Sequence, residues 1–359
     1  MNTTSLEKSG KFSGQRGFSI LELVTAMAIF IIVTGSVWGV LEVARNSRNV
    51  VSKQTQTAKN VRISLNLMGR DTFNAGYGYP IATSVIMPNN SVSTLLGIPA
   101  DTDNTRDFLP PIIPGNDLRA NTYNTTAGVM TDQITLLFKD NTFNVIAAPT
   151  PSPTPTPGPT PDTRVSRPLK INAATTSGTG IDEIVPLSPA DNSSCRVNDL
   201  FLVSGGNGST LGVVTGLVGT DTVQFANGDA LGFNLTGTTG QLRAITTPAT
   251  MQRVTMVTYF VTADGVLTRR EYVNVAPVGA NPPINFVDEP LVYDVENFQI
   301  RYIMDDGTLS DNPNTNLTSI RQVRFTVSVR SRELNSAGQP YRETMTSTFS
   351  TRNLGYDAS

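Results

Sequence analysis

The sequence predicts an α+β protein: one long N-terminal helix, membrane-spanning in its first half, packed on an antiparallel β-sheet that carries a β-rich insertion. Three observations predict this. An apolar run lies near the start of the chain, and no proline interrupts residues 18–79. Apolar residues make up only 38% and charged residues 16% of the 359-residue chain, against roughly 45–50% and 25% in ordinary soluble domains. The balance is Thr, Ser, Asn, Gly and Pro, which suits short strands joined by turns. Finally, the last hundred residues hold several stretches in which apolar and polar side chains alternate, the period of a half-buried strand.

Residues 1–17 are short and polar, with Lys8, Lys11 and Arg16 set against Glu7. They read as a leader. Phe18–Leu41 follows, 24 residues with one ionisable group, Glu22. As a helix rising ~1.5 Å per residue this run extends ~36 Å, enough to cross a hydrocarbon layer of ~30 Å. The positive flank before it stays in the cytoplasm and places the bulk of the chain outside.

Two simpler readings fit less well. A cleavable signal peptide has an apolar stretch of ~7–15 residues ending at a small-residue cut site, shorter than this one. A plain single-span anchor accounts for the length but not for Glu22. A carboxylate at the centre of a membrane helix costs ~2.5–3.5 kcal/mol on insertion scales, less near the end, so a partner is expected. A cut after Gly17 supplies one, because it frees the amine of Phe18 and makes Glu22 the fifth residue of the new chain. That amine pairs with Glu22 of its own helix or of a neighbour; between neighbours the pairing also sets an axial stagger.

Residues 42–74 read as the amphipathic half of the same helix. Val43, Val50, Ala58, Val61, Leu65 and Met68 form one stripe at helical spacing, while Arg45, Arg48, Lys53, Lys59, Arg62 and Arg70 give a basic, solvated side. Gly76, Gly78 and Pro80 end the helix. From Phe18 to about Phe73 it would measure ~84 Å. The stripe is expected to pack under a β-domain, with a coiled coil as the alternative. Gly35 and Gly39 form a small-xxx-small pair that allows close helix approach or merely softens the helix locally.

Residues 75–148 are expected to hold irregular structure across 81–128 and then two strands, Ile134–Phe138 and Phe143–Ala147, joined as a hairpin over Asp140-Asn141. Residues 149–168 form a Pro-rich linker. Proline at alternate positions from Pro149 to Pro161 excludes helix and central strand and gives an extended segment of up to ~40 Å. It reads as a spacer, with a recognition segment or glycosylated stalk as the alternative. Residues 169–250 form a β-rich variable insertion with short strands at Asp199–Val203, Leu211–Thr215 and Thr222–Phe225 and a turn at Gly205–Gly208. That glycine-rich turn lacks the lysine and following helix of a phosphate-binding loop.

Residues 251–359 read as a C-terminal antiparallel sheet. Val254–Val261 and Val266–Val273 form a hairpin over Ala263-Asp264-Gly265, and Leu291–Tyr293 and Val295–Ile303 follow. Val323, Phe325, Val327 and Val329 alternate with Arg324, Thr326, Ser328 and Arg330. Arg324 and Arg330 therefore lie on the exposed face, as solvated charges or opposite partner acids. Tyr341–Arg352 closes the chain.

The chain contains no histidine. Ser-His-Asp and Cys-His catalysis, HExxH metalloprotease sites and His-ligated metals are therefore excluded. The single cysteine, Cys195, permits no intrachain disulfide or multi-cysteine metal site and reads as a small buried hydrophobe. A net charge of −2 argues against a basic nucleic-acid binder. Asp305, Asp306 and Asp311, and likewise Asp101, Asp103 and Asp107, offer oxygen ligands of the kind calcium takes. Neither group has the EF-hand spacing, and Asp is a common turn residue, so no cofactor is expected, with calcium as the alternative.

The run Arg16-Gly17-Phe18-Ser19-Ile20-Leu21-Glu22-Leu23 resembles the class III signal of type IV pilins and type II secretion pseudopilins. The C-terminal segments VYDVENFQIRYIMDDG, RQVRFTVSVRSRE and TSTFSTRNL resemble the closing sheet of the PilW-like group of minor pilins, relatives of the J-type pseudopilins. The resemblance implies a pilin-like fold, cleavage by prepilin peptidase after Gly17, methylation of Phe18 and an assembly role for Glu22. It implies a structural protein, not an enzyme: a minor pilin that joins the pilus or its initiating tip complex. Its partners would be other minor and major pilins, the pilus assembly platform and the membrane, with no nucleic acid. Its location would be the inner membrane as a single-pass precursor, then the pilus at the cell surface. The alternatives are a J-type pseudopilin of type II secretion, identical in its anchor, and a membrane-anchored adhesin.

Overall fold

The computed structural model describes residues 17–80, 85–100, 102, 105–124, 129–143, 145–146, 165–166, 169–171, 184–188, 192–235, 240–246, 248–274, 285–313, 317–334 and 338–354. The chain divides into two compact units, Met1–Gln56 and Thr57–Ser359. The secondary structure is a long N-terminal apolar helix followed by mostly β structure, the α+β class read from the sequence.

Helix α1 runs Ile20–Asn74. In the first unit its apolar side chains from Ile20 to Leu41 are exposed. Hydroxyls in this stretch bond back along the helix: Thr25 Oγ1 donates to the carbonyls of Leu21 and Glu22 at 3.0 Å, and Ser36 Oγ to that of Ile32 at 2.8 Å. These polar groups are thus satisfied internally, as a lipid surrounding requires.

In the second unit the remaining elements, in chain order, begin with β1 (Val85–Met87), α2 (Ser91–Leu96), β2 (Asp107–Phe108), β3 (Ile112–Arg119), β4 (Thr131–Lys139), β5 (Val145–Ile146), β6 (Val165–Ser166), β7 (Leu169–Ile171) and β8 (Ile184–Ser188). They continue with β9 (Leu200–Gly205), β10 (Gly208–Val213), β11 (Gly216–Val218), β12 (Thr222–Gln224), β13 (Ala249–Val261), β14 (Leu267–Tyr272), β15 (Phe286–Val292), β16 (Val295–Met304), β17 (Leu309–Ser310), β18 (Ile320–Leu334) and β19 (Pro340–Ser350). Thirteen strands join in one large sheet, and β17-β16-β18-β19 form a separate four-stranded sheet.

β13 is the hub of the large sheet. Its first residues pair with β7 and β9, and the stretch after Arg253 pairs with β4 and β14. The strand therefore runs straight through position 250/251, where the sequence suggested a change from insertion to C-terminal sheet. β13, β14 and β15 all belong to the large sheet; the four-stranded sheet begins only at Val295.

Three other local expectations are corrected. Residues 81–128 are not simply irregular: among the described ones lie β1, α2, β2 and β3, and β3 pairs with β4. β4 does not form a hairpin with 143–147. Its neighbours are β3 and β13, and β5 pairs with β6. Here Asp140 does not close a turn between strands. Its carboxylate accepts from Arg253 Nε at 2.8 Å and its amide donates to the Arg253 carbonyl, so the chain is tied to β13, and Phe143 packs edge-on against Phe201 at 5.2 Å. The apolar stripe of α1 enters the core only from Val61; Val43 is exposed. The Pro-rich run 149–161 lies outside the described residues.

Val61, Leu65 and Met68 share one core with Ile134 and Leu136 of β4, Val257 and Tyr259 of β13, and Phe298, Ile300, Phe325 and Val327 of the four-stranded sheet. Leu137, Val254 and Met256, on the other face of β4 and β13, enter a second core with Val85, Leu96 and Leu202. This explains why Thr131–Leu137 is buried without interruption: both faces of the strand are covered. Gly69 allows the helix to approach β19, since a Cβ there would lie 2.3 Å from the Phe349 ring. Glycine costs ~1 kcal/mol against alanine inside a helix, and close packing offsets that. After Asn74, Gly76 and Gly78 take positive φ, and the Gly76 amide donates to the Leu137 carbonyl at 2.9 Å. The strict alternation of β18 is as expected: Val323, Phe325, Val327 and Val329 are buried.

Candidate processing and assembly site

Gly17, Phe18 and Ser19 precede the first helical residue and are exposed. Phe18 is 86% accessible. The Leu21 amide donates to Ser19 Oγ at 3.2 Å, and the Leu23 amide to the Ser19 carbonyl at 3.1 Å. Ser19 is therefore the N-cap of α1, satisfying one of the donors that a helix start leaves free. The peptide bond between Gly17 and Phe18 is thus non-helical and open, the form a peptidase needs to bind it extended. A cut there leaves the cap in the downstream chain, so helix formation does not depend on the leader.

Glu22 occupies the third position of the helix, exposed and in the first turn. A carboxylate here also faces the positive end of the helix dipole, worth ~0.3–1 kcal/mol. Ser19 and Glu22 stand in the S-x-x-E order of a capping box. That is the signal by which Ser19 is legible, and sequence reasoning that looked only at Gly17, Phe18 and Glu22 passed over it. The apolar stretch Ile20–Arg45 is long and apolar enough to cross a membrane and is exposed along its length. At its end Arg45 lies 6.0 Å from the Trp38 ring, an aromatic–cation pairing suited to a membrane boundary. Gly35 and Gly39 have open space where a Cβ would stand.

The acidic groups considered for calcium are drawn into other contacts. Asp306 accepts from the amide and hydroxyl of Thr308 at 2.8 and 2.7 Å, capping its own turn. Asp311 pairs with Arg301 at 2.8 Å, and Asp305 lies 3.9 Å from Arg321. Asp107 accepts from the Asn90 amide at 2.7 Å; Asp101 and Asp103 lie outside the described residues. Among the described residues no three His, Cys, Asp or Glu side chains converge as metal ligands. Cys195 is buried.

Two buried carboxylates that the sequence did not single out hold the second unit together. Asp71, on α1, accepts from Tyr259 Oη at 2.7 Å and Arg269 Nε at 3.0 Å, while Arg70 bonds its other oxygen at 3.1 Å. Burial disfavours the Arg269 charge, but the charge of Asp71, together with Tyr259 and the bond to Glu271, outweighs it and raises the guanidinium pKa. Burial chiefly, with Asp71 beside it, raises that of the Tyr259 phenol.

Asp132 joins the two sheets, accepting from the amides of Asp117 at 2.8 Å and Ile300 at 2.7 Å. Burial pushes its pKa up to about 6, against the pull of those two amides and with help from Asp117 and Asp311. A folded pKa above the unfolded value of ~3.9 means the native state holds the proton more tightly. This group's contribution to stability is therefore full below pH ~4 and is lost as pH rises to about 6, an effect of about 3 kcal/mol. A carboxyl-carbon NMR titration of Asp132 is expected to show a midpoint near 6; a midpoint below 4.5 would contradict this.

Residues 12–38 match the family described as Prokaryotic N-terminal methylation motif. No curated protein matches the chain. The motif covers Gly17, Phe18, Ser19 and Glu22 together with most of the exposed apolar run. The chain therefore carries a type IV pilin-like prepilin signal, implying processing by prepilin peptidase and anchoring by the apolar helix that follows.

Proposed function

We propose that this chain is a minor pilin of a type IV pilus, of the PilW-like group, that joins the pilus or its initiating tip complex after its leader is removed. The observation that carries the reading is the arrangement at the helix start: an open Gly17–Phe18 bond, a capping Ser19, and a single acid, Glu22, one turn into an otherwise apolar exposed helix. Hydrolysis at Gly17 creates an amine at Phe18, and N-methylation leaves it cationic. The apolar segment first partitions into the bilayer and then moves into a filament core, where neighbouring helices replace lipid. The role is assembly, not catalysis. The bulk of the β structure after α1 favours the pilus over a compact secretion pseudopilus.

The test is mass spectrometry of surface filaments sheared from the native cells. A methylated Phe18 N-terminal peptide of this chain is expected in the filament fraction. A terminus at Met1, a cut beyond Leu41, or a processed chain confined to membranes and missing from filaments would sink the reading.

A further inference from the structure

The outward face of the four-stranded sheet carries an arrangement that stability alone does not favour. Arg301 of β16 stands directly opposite Arg324 of β18, and Arg330 of β18 directly opposite Arg342 of β19. Like charges in register across strands are destabilising. Each pair is only half neutralised among the described residues: Arg301 bonds Asp311 and Arg342 bonds Glu296. Among the described residues Arg324 has the Thr348 hydroxyl, at 3.3 Å, and no carboxylate. Arg330 lies over the Tyr123 ring at 4.7 Å, which fixes its guanidinium, and it shares the single carboxylate of Glu296 with Arg342. The pairs are six residues apart along β18, about 20 Å at ~3.4 Å per residue. Between them lie Thr326 against Thr346 and Ser328 against Thr344, hydroxyls in contact at 3.1 and 2.8 Å that keep spare hydrogen-bonding capacity. The whole chain is net −2, so this is a local positive surface on an acidic protein.

We propose that this face binds an acidic polysaccharide, a linear chain of uronate-type sugars laid along β18. Each arginine pair receives a carboxylate, for which the planar guanidinium is well matched, and the threonine and serine hydroxyls between them meet sugar hydroxyls. The chemistry separates this ligand from other polyanions. A protein interface of comparable size is built around buried aromatic or aliphatic anchors, and the rows between the arginine pairs offer none. A nucleic-acid strand is held by base stacking on aromatic platforms as well as by charge, and those rows lack them too. The inference does not depend on cleavage at Gly17.

The test uses the full chain in an uncharged detergent, with alginate as the probe and neutral dextran, polyglutamate and duplex DNA as comparisons. Alginate is expected to bind, more weakly as salt rises, and at least tenfold more tightly than any of the three. The double substitution Arg324→Gln with Arg330→Gln is expected to weaken alginate binding at least tenfold with an unchanged circular dichroism spectrum. If that variant does not fold, Arg324→Lys with Arg330→Lys keeps the charge but loses the planar fork, and at least a threefold loss is expected. Unchanged binding in the folded variant, no preference over dextran, or equal binding of polyglutamate or DNA would each overturn the proposal.

Discussion

Replacing Asp71 with alanine is expected to destabilise the β-domain by about 3–5 kcal/mol, the range for removing one partner of a buried ion pair. The side chain is 2% exposed and that of Arg269 11%, so the guanidinium left behind keeps Glu271 at 2.9 Å but has little water to replace the lost carboxylate. Tyr259 Oη loses its acceptor as well. A domain of this kind has ~5–15 kcal/mol of stability in all, so the loss is a large fraction. It falls on the contact between the last turns of α1 and the β13–β14 hairpin. Asp71→Asn keeps one acceptor and is expected to cost less. Converting the buried members, with Asp71→Leu, Tyr259→Phe and Arg269→Met together, should recover most of the loss, because an apolar replacement avoids desolvating those charges, while Arg70 and Glu271, 64% and 34% exposed, keep contact with water. Urea unfolding of the full chain in uncharged detergent, followed by its β-sheet circular dichroism, measures all three. A loss below 1 kcal/mol for Asp71→Ala would show that this network does not tie the helix to the sheet.

Asp71 also shows where the sequence was legible and where it was not. The long helix, the alternation in β18 and the hairpin of β13 with β14 follow from periodicities within one segment, and these are visible without knowing the neighbours. Asp71 was within reach by the same means. It sits three residues beyond Met68, on the register that Val61, Leu65 and Met68 define, and a charged residue on an apolar stripe asks for a buried partner. Ser19 was likewise readable from its spacing to Glu22. The partners of β4 were not readable. Ile134-Thr-Leu-Leu-Phe138 signals a strand buried on both faces but is silent on which strands flank it, and a nearby Asp-Asn pair suggested a turn that Arg253 instead captures from across the fold. The central position of β13 was hidden for the same reason, since pairing with four strands leaves no local mark beyond length. Asp132 owes its raised pKa to burial, and the amides that hold it lie 15 and 168 residues away, a spacing no local pattern carries.

Replacing Glu22 with alanine is expected to leave cleavage after Gly17 and membrane insertion intact while lowering incorporation into filaments at least tenfold, equivalent to about 1.4 kcal/mol per subunit. In the bilayer this acid is a cost, up to ~2.5–3.5 kcal/mol at the centre and less near the helix end. The helix dipole returns only ~0.3–1 kcal/mol. Its presence in an otherwise uncharged run is therefore better accounted for by a partner acquired later than by stability of the precursor, and the cationic amine proposed at Phe18, four residues before it, is such a partner. Two further substitutions separate charge pairing from capping. Glu22→Gln keeps the shape and one acceptor but loses the charge, so pairing predicts a defect as deep as that of alanine, whereas a capping role predicts near-normal assembly. Ser19→Ala removes the cap and keeps the charge, so the two readings predict the reverse. Quantifying the chain in sheared filaments against its processed pool in membranes gives the answer. Normal incorporation of the Glu22→Gln variant would reject the charge pairing while leaving the processing of the chain untouched.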